Sequence, residues 1–237
     1  MSLDNARRGF LRRSIAIVPA VALGSAACTQ ATTSTPTTNA SPPPAAQAYQ
    51  PAFFNAAEWA FISAAVARLI PSDATGPGAI EAGVPEFIDR QMDQVFGHAA
   101  LWYMQGPFVE VAPEFGYQAK LPPRDVYRAG IAATDAYCRT TFNKTFAQLD
   151  ATQQDALLKS LESGELTFDT LSSKTFFGFL LQNTKEGYLS DPMHGGNKDA
   201  AAWKMIGFPG ARADFADWVG KPVQYPLPPV TINGPQG

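Results

Sequence analysis

Between residues 55 and 186 the apolar residues return at intervals of three and four, in blocks fenced by helix caps. No stretch of useful length alternates apolar with polar. That periodicity commits the chain to a mainly α fold. Asn55 with Glu58 three residues on is a capping box, and Trp59, Ile62, Val66, Leu69 and Ile70 form a stripe that Pro71 ends. After the turn-rich stretch 72–78 (SDATGPG), a second helix over 84–97 has Pro85 in its first turn and buries Val84, Phe87, Ile88, Met92 and Val95. Residues 103–123 are broken by Gly and Pro and read as an ordered surface loop. A long helix follows over about 124–142. Val126, Gly130, Ala133, Tyr137 and Thr141 share one of its faces, with Tyr127, Ile131, Thr134, Cys138 and Phe142 beside them. Asp150 and Gln153 open a fourth helix that carries Leu157, Leu158 and Leu161 and stops at Gly164. A fifth, over about 169–186, buries Phe176, Phe177, Leu180 and Leu181. The expectation is a single helical domain of about five helices, with its core in 53–186.

The last stretch differs in kind. Residues 187–237 hold eight Gly and seven Pro, which excludes another long helix. One short helix fits, capped by Asn197, carrying Trp203 and Ile206 and stopped by Gly207 ahead of Pro209. Residues 187–222 therefore read as a Gly/Pro-rich segment wrapping the helices, and 223–237 as an extended tail.

The N-terminal 27 residues have the layout of an export signal. The run ARRGFLRR at 6–13 places Arg7 and Arg8 before Phe10 and Leu11, the pattern of a twin-arginine signal, whose translocase carries proteins that have already folded. The apolar stretch 14–27 is shorter than the roughly 20 residues that span a bilayer, and the small residues 24–27 supply a cleavage site. Cys28 stands where a lipoprotein cysteine would, although Ser25 departs from the usual aliphatic residue. Lipidation of Cys28 and plain cleavage nearby both fit. Residues 29–51 are uncharged and rich in Thr, Ser, Ala and Pro, so 28–52 reads as a tether between a membrane-side end and the body. The expected location is periplasmic and membrane-associated, through a lipid or through a partner.

Removing residues 1–27 takes four arginines and one aspartate from 18 basic and 21 acidic residues, leaving a net charge of −6. A body this acidic is poorly suited to nucleic acid, whose binding rests on phosphate neutralisation. With Cys28 lipidated or removed, Cys138 has no intramolecular partner and is either buried or cross-linked to another chain.

Catalytic and cofactor motifs are hard to find. Gly76-Pro77-Gly78 lacks the third glycine and the free amide of a dinucleotide turn, and two cysteines 110 residues apart cannot attach haem covalently. Gly-x-Ser-x-Gly is absent. His98 and His194 have no ligand partner at helical spacing. His98 reads as a helix-end residue. His194 stands in a loop, DPMHGGN, where Gly195 and Gly196 serve either an anion nest or a local turn. Glu81, Asp89 and Asp93 read as solvated charges on helix faces. No site for a metal, a cofactor or catalysis is expected in this chain.

One segment carries a more specific signal. In GYLSDPMHGGNKDAAAWKMIGFPGAR (187–212), Tyr188, Asp191-Pro192, Gly195-Gly196-Asn197 and the run Trp203-Lys204-Met205-Ile206-Gly207-Phe208-Pro209-Gly210 resemble the gluconate 2-dehydrogenase subunit 3 family. Gly106-Pro107, Gly116-Tyr117-Gln118 and the capped helix from Asp150 extend the resemblance over about 55–212. It implies a small subunit without a cofactor of its own. Such a subunit works beside an FAD-containing dehydrogenase subunit and a multihaem cytochrome c, stabilising the flavoprotein and lending it an export signal. The motif's aromatic and conformationally special residues would then present anchors to the partner, or else fold back onto their own core. A free-standing lipoprotein binding module remains the alternative.

Overall fold

The computed structural model describes residues 49–109 and 111–234. The expectations for Arg7, Arg8, Phe10, Leu11 and Cys28 lie outside the described residues. All the described residues belong to one compact unit, mainly helical as the periodicity requires. Helices α1 (Ala56–Leu69), α2 (Val84–Asp93), α3 (Pro123–Phe142), α4 (Ala151–Ser163) and α5 (Ser173–Leu189) form the body, and the short α6 (Ala201–Ile206) follows. Among the described residues the β contacts are two isolated bridges, Gly210 with Val230 and Thr231 with Gly234. No described helix is long and apolar enough to cross a membrane.

The helix caps form as their spacing requires. Asn55 Oδ1 accepts from the amides of Ala57 and Glu58 at 2.9 and 3.0 Å, and Glu58 Oε2 accepts from the Asn55 amide at 3.0 Å. Asp150 Oδ1 accepts from Gln153 N at 2.9 Å, and α4 ends at Gly164 in the left-handed region. Two boundaries differ from expectation. Helix α2 stops at Asp93, short of Gly97, because the chain turns extended at Gln94 and folds back so that Gly97 N donates to Gln91 O at 2.9 Å. A Cβ at Gly97 would lie 2.1 Å from Met92 O, so only glycine fits there. Val95, expected in the buried stripe, is consequently 59 % exposed. Helix α5 starts at Ser173, capped by Ser172 Oγ, and runs on to Leu189.

Helix α5 is the hub, packing against α1, α2, α3 and α4. Two close approaches set its position. Gly130 of α3 meets the Phe176 ring, where a Cβ would lie 2.2 Å from the ring carbon, and Gly187 receives Phe87 of α2 in the same way. On α3 the buried stripe includes Tyr127, Ile131, Thr134 and Cys138 along with Val126 and Gly130, whereas Tyr137 and Thr141 are exposed. Buried Tyr127 donates to Asn183 Oδ1 of α5 at 3.0 Å, and burial raises its pKa well above the phenol's usual value.

Of the carboxylates read as solvated, Glu81 and Asp93 are exposed but Asp89 is not. It is fully buried and gathers the end of the tether. Its Oδ2 accepts from Tyr49 Oη and Ala52 N, both at 2.7 Å, and its Oδ1 from Phe53 N at 3.1 Å and Phe54 N at 2.9 Å. Arg124 and Arg128 lie over the Phe53 ring at 4.8 and 4.5 Å, and Arg128 also donates to the Phe53 carbonyl. The chain is thus clamped to the body where the tether enters it.

Candidate partner interface

The motif segment begins where α5 ends. Tyr188, on the last turn, is buried and donates to Pro77 O at 2.7 Å, and burial raises its pKa, with Asp73 and Glu81 adding to the effect. Asp191 caps the 3₁₀ turn Pro192–His194: its Oδ1 accepts from Met193 N at 3.1 Å, and its Oδ2 accepts from Ile232 N in the tail at 2.8 Å. Gly195 follows in the left-handed region (φ 96°), its amide already donating to Pro192 O at 3.0 Å. Gly196 lies against α5 so tightly that a Cβ would sit 2.1 Å from Gly187 O. A turn and a close approach therefore account for both glycines, and with the Gly195 amide already used the pair does not form an open anion nest.

Asn197 is fully buried, has a positive φ of its own, and is the N-cap of the 3₁₀ turn Lys198–Ala200 that leads into α6, whose own N-cap is Ala200. Its side chain acts at longer range: Nδ2 donates to Ser190 O, and Oδ1 accepts from Ala202 N, both at 2.9 Å. It ties the end of α5 to the first turn of α6. Trp203 is buried and donates from Nε1 to Leu189 O at 2.8 Å. Gly207 ends α6 in the left-handed region, and Phe208 N donates back to Trp203 O at 2.9 Å. The Phe208 ring meets Trp203 edge-on at 5.1 Å and is half exposed. Pro209 O accepts from Val230 N, Ala211 N donates to Val230 O at 2.7 Å, and Gly210 (φ 69°) lets the two segments touch. The tail, expected as an extended segment, is stitched to the motif through residue 232.

Lys198 extends this connection to α2, where its Nζ pairs with Glu86 Oε2 at 2.8 Å beside the Arg90–Glu86 ion pair. Of the residues expected as partner anchors, Tyr188, Asp191, Asn197 and Trp203 are thus engaged within the fold. Lys204, Gly207 and Phe208 keep exposed surface. Next to the motif, Phe87, Gln91, Gln182, Lys185, Glu186 and His194 line an open groove of about 640 Å³. Its Glu186 is held by the amides of Gln182 and Asn183, both at 2.8 Å.

The chain belongs to the gluconate 2-dehydrogenase subunit 3 family. The family model described as Gluconate 2-dehydrogenase subunit 3 matches residues 56–210, from the first turn of α1 to the Gly210 bridge. No curated protein and no solved structure matches the chain. In this subunit 3 family member the matched span takes in the helical body and the motif segment just described. The clamp residues 49–54 and the stitched tail lie outside it.

His98 is exposed and bonded to the Arg124 guanidinium. Among the described residues no three His, Cys, Asp or Glu side chains gather where they could hold a metal ion. The Gly76-Pro77-Gly78 turn joins two helices and backs onto the Ile70–Ser72 backbone, so it does not fit a dinucleotide pyrophosphate. Cys138 is fully buried, and burial pushes its thiol pKa up to about 11. Two features escaped the sequence reading. One is the Asp89 clamp, which no local pattern reveals. The other is the apolar loop after α2, whose signal was present: residues 94–109 contain no Asp, Glu, Lys or Arg.

Proposed function

We propose that this chain is the non-catalytic small subunit of an exported, membrane-associated, FAD-dependent oxidoreductase of the gluconate 2-dehydrogenase type. It braces the flavoprotein subunit and carries it, already folded, through the twin-arginine translocase. FAD belongs to the large subunit and haem c to a multihaem cytochrome c subunit. The complex sits on the periplasmic side, attached through Cys28 or through a partner.

The observation that carries the reading is the family match over 56–210. The use the motif makes of its polar residues supports the non-catalytic part. Asp191, Asn197, Tyr188 and Trp203 have the chemistry of a site, yet their polar atoms hold α5, α6, the 76–78 turn and the tail together. A rigid segment of this kind suits a scaffold. Arg7 and Arg8 with the tether that follows support the export role.

The test is purification of the tagged full chain from membranes of its own host. A large flavin-containing subunit should accompany it, and dehydrogenase activity should follow that subunit and be missing from the isolated small chain. A stable monomer with no flavoprotein in any fraction would sink the proposal in favour of a free-standing binding module.

A further inference from the structure

Exposed apolar side chains concentrate on the loop between α2 and α3. Leu101 is 86 % exposed, Tyr103 83 %, Phe115 71 % and Val109 60 %. Taking about 150–250 Å² for a whole aromatic side chain, Tyr103 and Phe115 alone leave about 200–400 Å² in water, and Leu101 and Val109 add to it. Half-exposed Phe108 on the same loop adds to it. A monomer's largest apolar patch is typically about 300–600 Å² and often functional, and each partner in a specific interface buries about 800 Å².

The loop is braced from beneath. Trp102 packs edge-on against Phe96 at 5.7 Å and lies 6.2 Å from Tyr117 and 6.5 Å from Phe179 of α5. Tyr117 meets Phe179 edge-on at 5.1 Å and donates to Leu121 O at 2.8 Å. The neighbours of Trp102 on either side, Leu101 and Tyr103, are therefore turned outward from an anchored residue. Two cavities flank Phe108 and Val109. One of about 370 Å³ lies towards Trp102 and Tyr103, and one of about 280 Å³ lies towards Leu171 at the start of α5.

Composition selects the kind of partner. The 16 residues 94–109 hold no Asp, Glu, Lys or Arg and include aromatics and a methionine, and the rest of the loop to Pro122 adds Glu110, Glu114 and Lys120, the last lining the cavity towards Leu171. Interface cores are depleted of charge and enriched in aromatic residues and Met. An anionic membrane surface would call for lysines and arginines here. A transient electron-transfer contact is small and steered by charge. A pre-braced apolar surface with so few charges fits a permanent protein neighbour.

We infer that the exposed face of Leu101, Tyr103, Phe108, Val109 and Phe115 is the docking surface for the flavoprotein subunit, with an apolar patch of that subunit filling the cavities beside Phe108 and Val109. The inference rests on the subunit reading above and locates its contact away from the motif segment. The flavoprotein seats on Leu101, Tyr103 and Phe115, and the motif segment holds the helices behind them.

The test uses the complex purified from its own host, with a photoreactive phenylalanine analogue at Tyr103 or Phe115 and, separately, the pair Leu101→Glu with Tyr103→Glu. Val219→Glu, at another exposed apolar position, is the control. Cross-links from both loop positions should join the flavoprotein. The paired variant should keep its helical circular dichroism and lose about tenfold or more of the co-purified flavoprotein, while the control loses none. Cross-links to a second copy, to the cytochrome or to lipid, or a paired variant that keeps its flavoprotein, overturn the inference and leave the subunit reading intact. Failure of the unmodified chain to bring down any flavoprotein overturns both.

Discussion

Replacing Asp89 should unfasten the tether and weaken the whole body. Its carboxylate is fully buried and accepts four hydrogen bonds, three from backbone amides. Asp89→Ala leaves those amides without an acceptor, and two of them belong to buried Phe53 and Phe54. A buried donor stripped of its partner costs about 1–3 kcal/mol, so the expected loss is about 3–5 kcal/mol. Asp89→Asn keeps one oxygen and turns an N–H₂ towards donors. It should lose two of the four bonds and cost about 2–3 kcal/mol. For a body of this size each kcal/mol moves Tm by about 2–4 °C, so the alanine variant should melt roughly 6–20 °C lower. The assay is thermal and urea unfolding of the mature chain, followed by tryptophan fluorescence and circular dichroism to test for a single transition. Tyr49→Phe removes one partner alone. In a double-mutant cycle with Asp89→Asn its effect should couple by about 1 kcal/mol. Variants of Asp89 that unfold within about 0.5 kcal/mol of the parent chain would refute the clamp, since that is how a solvated surface carboxylate behaves.

Further predictions concern the motif and the thiol. Gly196→Ala should cost about 3 kcal/mol or more, because its Cβ would fall 2.1 Å from a backbone carbonyl; near-normal unfolding of that variant would contradict the packing of the motif on α5. Trp203→Ala should cost about 3–5 kcal/mol, whereas Trp203→Phe should cost only about 1 kcal/mol for the lost bond to Leu189 O. Cys138 should resist thiol reagents at pH 8 until the protein unfolds, because burial holds its pKa near 11. The sign follows. The unfolded thiol ionises first, so stability falls as pH rises above the thiol's usual range and stops falling beyond about 11. Rapid labelling of the native chain at pH 8 would show the site to be open.

Local chemistry explains what could be read in advance. Asn55, Asp150, Gly164 and Gly207 cap helices through bonds spanning a few residues, and spacing alone reveals them. The family motif was legible as a string, but the direction of its side chains was not. Tyr188 and Trp203 look like anchors in sequence, and only the fold shows that their polar atoms reach Pro77 and Leu189. Asp89 and Asp93 are both helix-face carboxylates by spacing. What separates them is a tether lying some 35 to 40 residues away in sequence, and periodicity carries no such information. Val95 differs for a related reason: spacing carries the helix on to Gly97, whereas the chain turns at Gln94.

The central claim is that this chain braces and exports a flavoprotein. It is tested most directly by following that flavoprotein in cells carrying Arg7→Lys with Arg8→Lys. The account predicts that the small subunit and the flavin-loaded large subunit both remain in the cytoplasmic fraction, still bound to one another. Normal appearance of the flavoprotein in the periplasmic membrane fraction of that double variant would contradict it.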